Sequence, residues 1–186
     1  MNAGTPVPFG WKRSARAGLT FRPVTDDDLF FLSQVYASTR CKDFDDPFMN
    51  PAQHAALMLM EFRDQDAHFR KHYPQADRLV MTGRGSRGKL YDIGRLYLAR
   101  WPAEHGIIDI ALLPEFRRHG AGEVILRDLI DEAEAAGKTV SILVQKLNPA
   151  IRLYRRLGFV AAEDKGSCDL MRWRPAQIIA LPPGPR

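Results

Sequence analysis

The stretch IIDIALLPEFRRHGAGEVILRDLI, residues 107–130, reads as a strand, a short basic loop and a helix. The apolar run stops at Pro114. In the loop, Arg117-Arg118-His119-Gly120-Ala121-Gly122, small residues stand where backbone must approach a ligand, and cations flank the positive end of the following helix. Successive N–H groups there can donate to a pyrophosphate, with Arg117 and Arg118 adding charge-assisted bonds. The same spacing also describes a tight strand-to-helix turn whose arginines are simply solvated. Two familiar phosphate loops are excluded. A Walker loop needs Gly-Lys before Ser or Thr, whereas Gly122 precedes Glu123 and Val124, and a dinucleotide fingerprint needs a third glycine where Ile125 stands.

Strand and helix signals alternate on both sides of this unit. Leu19 to Val24 predicts a strand, and Thr25 with Asp28 three residues on predicts a capped helix carrying Leu29, Leu32, Val35 and Tyr36. Asn50-Pro51 opens a second helix running to about Lys71, with Ala55, Leu59, Phe62 and Phe69 as its stripe. Residues 78–82, 90–100 and 106–113 read as strands, the first two joined through the turn-rich GRGSRGK. A helix from about Gly120 to Ala136 follows, stopped by Gly137; then a strand at 139–144, a short helix opened by Asn148-Pro149 and ended by Gly158, and a closing strand pair at 159–163 and 168–173. The expected architecture is α/β (α+β), a mixed sheet covered by helices. Residues 1–18 read as a flexible basic arm, 19–174 as the domain and 175–186 as a Pro-rich tail.

At 186 residues, with 45% hydrophobic and 26% charged side chains, the chain suits one globular domain. No apolar run approaches the roughly 18 residues a bilayer span needs, and the first residues lack a signal peptide's apolar stretch, so a cytoplasmic protein is expected. Cys41 and Cys168 stand alone, without metal spacing or a disulfide framework. No metal is assigned, since His54, His68, His72 and His119 form no paired ligand spacing. Asp26, Asp27 and Asp28 suit a helix start better than a metal cluster. The net charge of +5 is compatible with an anionic ligand.

A second motif lies downstream. Asn148-Pro149-Ala150-Ile151-Arg152-Leu153-Tyr154-Arg155-Arg156-Leu157-Gly158-Phe159, taken with Arg-x-x-Gly-x-Gly at 117–122, resembles the paired signature of the GNAT superfamily of N-acetyltransferases. The resemblance covers roughly residues 19–174 and is strongest from 107 to 160. It implies a mostly antiparallel central sheet, splayed at an acyl-CoA site, and acetyl-CoA as cosubstrate. It further implies that backbone amides of Arg118, His119, Gly120, Ala121, Gly122 and Glu123 hold the pyrophosphate. Leu112 and Leu113 would pair their backbone with pantetheine, Asn148 would contact the pantetheine arm, and Tyr154 would lie near the thioester sulfur. Lys146, Arg152, Arg155 and Arg156 would meet CoA phosphates or solvate their helix, the second being favoured.

Amine attack on a thioester requires a neutral amine, a stabilised oxyanion and a proton for the departing thiolate. A backbone N–H at a strand bulge near Leu112 is the expected oxyanion donor, and Tyr154 the expected acid. Asp109 ranks first as base, ahead of Glu104 and His105, although it shares a face with Leu113 and is equally readable as structural. Asn148 is also a good helix cap, and Tyr154 a good core aromatic beside Ile151. The acceptor is an amine on a small molecule or peptide. Asp43, Asp45 and Asp46 could attract it or form a solvated loop. No nucleic-acid or membrane partner is expected, and a homodimer is compatible with the sequence. The rival readings are a non-catalytic acyl-CoA sensor of the same fold, and a nucleic-acid or protein binding module built on Lys12, Arg13, Arg16 and the Arg-rich helix, whose polynucleotide binding would be salt-sensitive.

Overall fold

The alternation of apolar strands and amphipathic helices resolves into one seven-stranded sheet. The computed structural model describes residues 10–40, 49–84 and 88–176. The elements are α1 (Lys12–Arg16), β1 (Leu19–Pro23), α2 (Leu29–Arg40), α3 (Pro51–His72), β2 (Asp77–Arg84), β3 (Leu90–Arg100), β4 (Glu104–Leu112), α4 (Ala121–Ala135), β5 (Thr139–Gln145), α5 (Ile151–Arg156), β6 (Val160–Lys165) and β7 (Cys168–Trp173). The sheet order is β1-β2-β3-β4-β5-β7-β6. Every pairing is antiparallel except β4 with β5, whose ends are joined by the α4 crossover.

Each face carries its own core, because successive strand residues point to opposite sides. Leu79 and Met81 of β2 join Leu96, Leu98, Ile125 and Leu129 on the α4 side, whereas Val80 joins Leu32, Tyr36, Met58 and Phe62 under α2 and α3. The α3 stripe is shifted from its expected line: Ala55 is exposed, and Met58 and Phe62 are the buried residues. Asn50 caps that helix as expected, accepting from the Gln53 N–H (2.9 Å). Asp28 ends the acidic run as a cap, accepting from the Thr25 N–H (2.7 Å) and binding Arg22 through both oxygens. Cys41, Asp43, Asp45, Asp46 and the tail from 177 lie outside the described residues.

The expected arm is shorter than 18 residues. From Trp11 onward the chain docks on α4: Trp11 is buried, meets Phe21 edge-on at 5.2 Å and donates its indole N–H to Glu132 (2.7 Å). The N–H groups of Arg13 and Ser14 donate to the buried carboxylate of Asp128 (3.1 and 2.7 Å), which caps α1 from a distant helix. Arg13 also pairs with Asp131. A buried tryptophan replaced by alanine loses its apolar contacts and leaves a cavity, at a cost of about 3 kcal/mol or more. Trp11→Ala should therefore lower the urea-unfolding free energy by about that amount; no change would mean that the segment is free.

Candidate active site

The parallel pairing of β4 with β5 runs only from Glu104 to Ile107. Beyond it the two strands keep their other neighbours, β3 and β7, and part from one another. The cause lies in β4. Its register against β3 passes from Leu98↔Ile107 to Tyr97↔Asp109, so Ile108 is an extra residue, and such a bulge bends and twists the strand that carries it. Past the bulge, the Leu113 N–H donates to the Ile93 carbonyl (2.9 Å). Strand alternation then turns the backbone groups of Ile110 and Leu112 away from β3, toward the wedge beside β5. Gly94 lets β3 lie this close to Leu112, since a Cβ there would stand 2.2 Å from the Ala111 carbonyl oxygen.

The bulge thus sits four residues before its expected place near Leu112, and the first wedge-facing N–H beyond it is that of Ile110. Leu113 departs from expectation too. Its N–H goes to Ile93 and its carbonyl accepts from Phe116 (3.0 Å), so its backbone is spent within the fold; of the pair only Leu112 faces the wedge, and it does so through its N–H, because its carbonyl accepts from Arg117 (2.7 Å).

At the mouth of the wedge the loop makes two left-handed turns, at Arg118 (φ 62) and at Gly120 (φ 86), the residue that caps α4. A non-glycine residue at positive φ costs about 1 kcal/mol, a strain typical of ligand loops. Gly120 supplies no side chain to satisfy the first-turn N–H groups, so those of Ala121, Gly122 and Glu123 point outward from the positive end of a 15-residue helix. Arg118 and His119 are exposed beside them. The Glu123 side chain is turned to Arg127 (2.8 Å) and Arg156 (2.6 Å), which hold its carboxyl below the usual range. Lys146 pairs likewise with Asp164 (2.7 Å), so two of the four basic residues near α5 have acidic partners on other elements.

Arg117 is not aimed at these N–H groups. Its Nε–H donates to the Leu112 carbonyl (2.7 Å), and Nη2 donates to Ser38 Oγ (2.7 Å) and the Ser38 carbonyl (3.1 Å). It is a strut between the loop, β4 and the end of α2, whereas the sequence had suggested a phosphate contact. Asn148 is exposed, and its Oδ1 accepts from the Ala150 N–H (2.9 Å), closing the turn before α5.

Tyr154 is buried and packs against Phe159 (5.8 Å). Burial pushes its phenol well above the usual range, and the charge of Asp109 pushes it the same way, so these two expected catalytic residues share one electrostatic environment. The other two base candidates do not join them. Glu104 accepts from Ser141 (2.8 Å), Thr139 (3.1 Å) and Arg172 (2.9 Å) at the closed end of the β4–β5 pair. His105 is buried on the α4 side, 3.5 Å from Glu132.

Sequence reasoning missed Arg95. It is 1% exposed on β3 and binds Asp109 through Nε and Gln65 through Nη2 (2.9 Å), while Nη1 is buried without a partner. The signal was a cation in the middle of a strand-like run, Arg95 in LYDIGRLYLAR, four residues before the apolar stretch ends. Among the described residues no group of three His, Cys, Asp or Glu is arranged to hold a metal ion, and no helix is long and apolar enough to cross a membrane.

Two measurements check this geometry. If Arg117 and Ser38 act as a strut, their replacements (Arg117→Met, Ser38→Ala) should be non-additive in unfolding free energy by about 0.5 kcal/mol or more without any ligand, and additivity would remove the strut. Burial lowers His105 below its ordinary 6.5. As pH drops through that value the unfolded chain takes up a proton that the folded chain refuses, so stability should fall as pH goes below about 6.5. The fall should shrink in His105→Asn.

A family model described as "Acetyltransferase (GNAT) family" matches residues 44–159. No curated protein matches the chain. Solved structures with the same fold include PaiA N-acetyltransferase from Thermoplasma acidophilum in complex with coenzyme A, 14% identical with a TM-score of 0.57, covering 84% of this chain and 98% of that one. A domain from Methanocaldococcus jannaschii is 12% identical with a TM-score of 0.61, covering 84% and 97%. A spermidine N-acetyltransferase SpeG chimera from Vibrio cholerae and human SSAT is 18% identical with a TM-score of 0.55, covering 88% and 99%. With a matched segment longer than half its length, and the splayed sheet and helix terminus described above, the chain belongs to the GNAT family of acetyltransferases.

Proposed function

We propose that the protein is an acetyl-CoA-dependent N-acetyltransferase that passes the acetyl group directly to a primary amine in a ternary complex. The observation that carries this reading is the β4–β5 wedge, whose open backbone edge leads to the N-terminus of α4, where no side chain accepts from the first N–H groups. An extended amide-bearing chain can pair with such an edge as an added strand, while its diphosphate end meets the helix N–H groups. In this reading the amides from Arg118 to Glu123 receive the pyrophosphate, and Ile110 and Leu112 pair with pantetheine.

Acetyl-CoA supplies an activated acyl carbon; the chain's own groups do the rest. The Ile110 N–H stabilises the oxygen that gains charge as the amine nitrogen attacks. Asp109 takes the proton that the nitrogen sheds. Tyr154 is assigned as a hydrogen-bond donor to the departing sulfur. A phenol raised by burial holds its proton at neutral pH, which suits donation of a hydrogen bond better than full transfer. The carbon–sulfur bond breaks as the carbon–nitrogen bond forms, giving an amide and a CoA thiolate that Tyr154 hydrogen-bonds; the thiolate becomes the thiol by taking a proton from solvent as Asp109 gives its own back to solvent.

Calorimetric titration should show saturable binding of acetyl-CoA and CoA but not of ATP or NAD, and thiol release should then appear with some member of an amine panel. Binding without release would favour the sensor reading. No CoA binding by folded protein, together with salt-sensitive polynucleotide binding, would favour the binding module. Gly122→Glu places a carboxylate beside the α4 amides and should abolish CoA binding; retained affinity would overturn the cradle. Tyr154→Phe should lower kcat by about 100-fold while CoA affinity stays within a small factor. Unchanged turnover would remove Tyr154 from the chemistry.

A further inference from the structure

We infer that Arg95 is a positioning residue for acyl transfer, holding Asp109 at the wedge while Gln65 of α3 locks it from behind. The inference rests on the reading above, in which Asp109 receives the acceptor's proton. Arg95 lies in the middle of β3, where its neighbours under α2 and α3 include the buried apolar side chains Val80 and Phe62. Burying a guanidinium there carries a desolvation penalty that a well-packed Leu or Met would avoid. Stability alone therefore does not account for it.

What the arginine adds is fixed geometry. Nε donates to the Asp109 carboxylate and Nη2 to Gln65 Oε1 (2.9 Å), so the planar fork is pinned at two corners. The rings of Phe62, Tyr97 and Tyr36 surround it, with centroids 5.2, 5.6 and 5.9 Å from Cζ. A side chain so enclosed has no room to swing. Asp109, by contrast, is 22% exposed and borders the open part of β4. A carboxylate partly open to solvent would sample several rotamers unless something rigid held one oxygen, leaving the other to face the incoming amine. Misplacing a reacting group by about 1 Å costs on the order of 100-fold in rate. Because Gln65 belongs to α3 and Tyr36 to α2, the two helices on this face set the angle of the carboxylate through Arg95.

The test compares wild type, Arg95→Lys, Gln65→Leu, Asp109→Asn and the double variant Arg95→Lys/Asp109→Asn, using the best amine from the panel. Lysine keeps the charge but cannot reach both partners as a fork. Arg95→Lys should lower kcat by about 10-fold or more, with acetyl-CoA affinity by calorimetry within about twofold of wild type. Gln65→Leu should lower kcat by a smaller factor. The double variant should be no slower than Asp109→Asn alone, because residues that act as a unit are non-additive. Multiplying effects, or an unchanged kcat in Arg95→Lys, would overturn the inference. If Arg95→Lys fails to fold, Gln65→Leu with and without Asp109→Asn carries the same comparison. A wild-type protein that binds acetyl-CoA yet shows no turnover would overturn the acyltransferase reading and this inference together; independent effects in an active wild type would overturn this inference alone.

Discussion

One extra residue in β4 governs the shape of this molecule. A regular β4 would carry its ladder with β5 to the end of both strands and close the sheet. Ile108 opposes no residue of its own on β3, and the strand turns away from β5 after four paired positions. Backbone groups that would have been satisfied inside the sheet then face a wedge, and unsatisfied peptide groups are what an extended ligand can use. The surroundings are arranged around that edge: α4 follows it in the chain, Tyr154 of α5 feels the charge of Asp109 on the same strand, and Gly94 removes the side chain that would push β3 away from Leu112.

The charges divide into two populations with different physics. Exposed pairs such as Arg127–Glu123 and Lys146–Asp164 contribute little to stability, because solvent screens them. They do neutralise some of the basic side chains that the composition suggests, and Arg13, part of the expected basic arm, is paired with Asp131. The buried population is smaller. Arg95–Asp109 and the Asp128 cap of α1 sit where water cannot compensate a lost partner, so removing one member leaves the other unsatisfied. One of these fastens the N-terminal segment to the fold, and the other fastens a carboxylate to the wedge.

The elements were legible where local chemistry decides them. Alternating and apolar runs marked the strands, Asn50-Pro51 marked the start of α3, and Gly120 and Gly137 bracketed α4, because capping and turn geometry act within a few residues. The paired motifs at 117–122 and 148–159 pointed to the family for the same reason, since each is a short loop-and-helix segment that must be written contiguously. The α1 segment was misread because five residues show no periodicity and their anchor, Asp128, is 115 residues away from Arg13.

What the sequence by itself determined was the order of the elements, the small and basic make-up of the loop before α4, and the two motifs that carry the family signature. What only the tertiary structure decided was how those residues are used. The bulge at Ile108 is invisible in a run where Ile107, Ile108 and Ile110 are all apolar, since register depends on the partner strand. Arg117 became a strut because Ser38, 79 residues earlier, stands beside it in space. Arg95 became the holder of Asp109 because pairing β3 with β4 sets the two strands side by side and turns both side chains to the same face. Long-range contacts of this kind carry no local signature, so their chemistry exists only once the chain has folded.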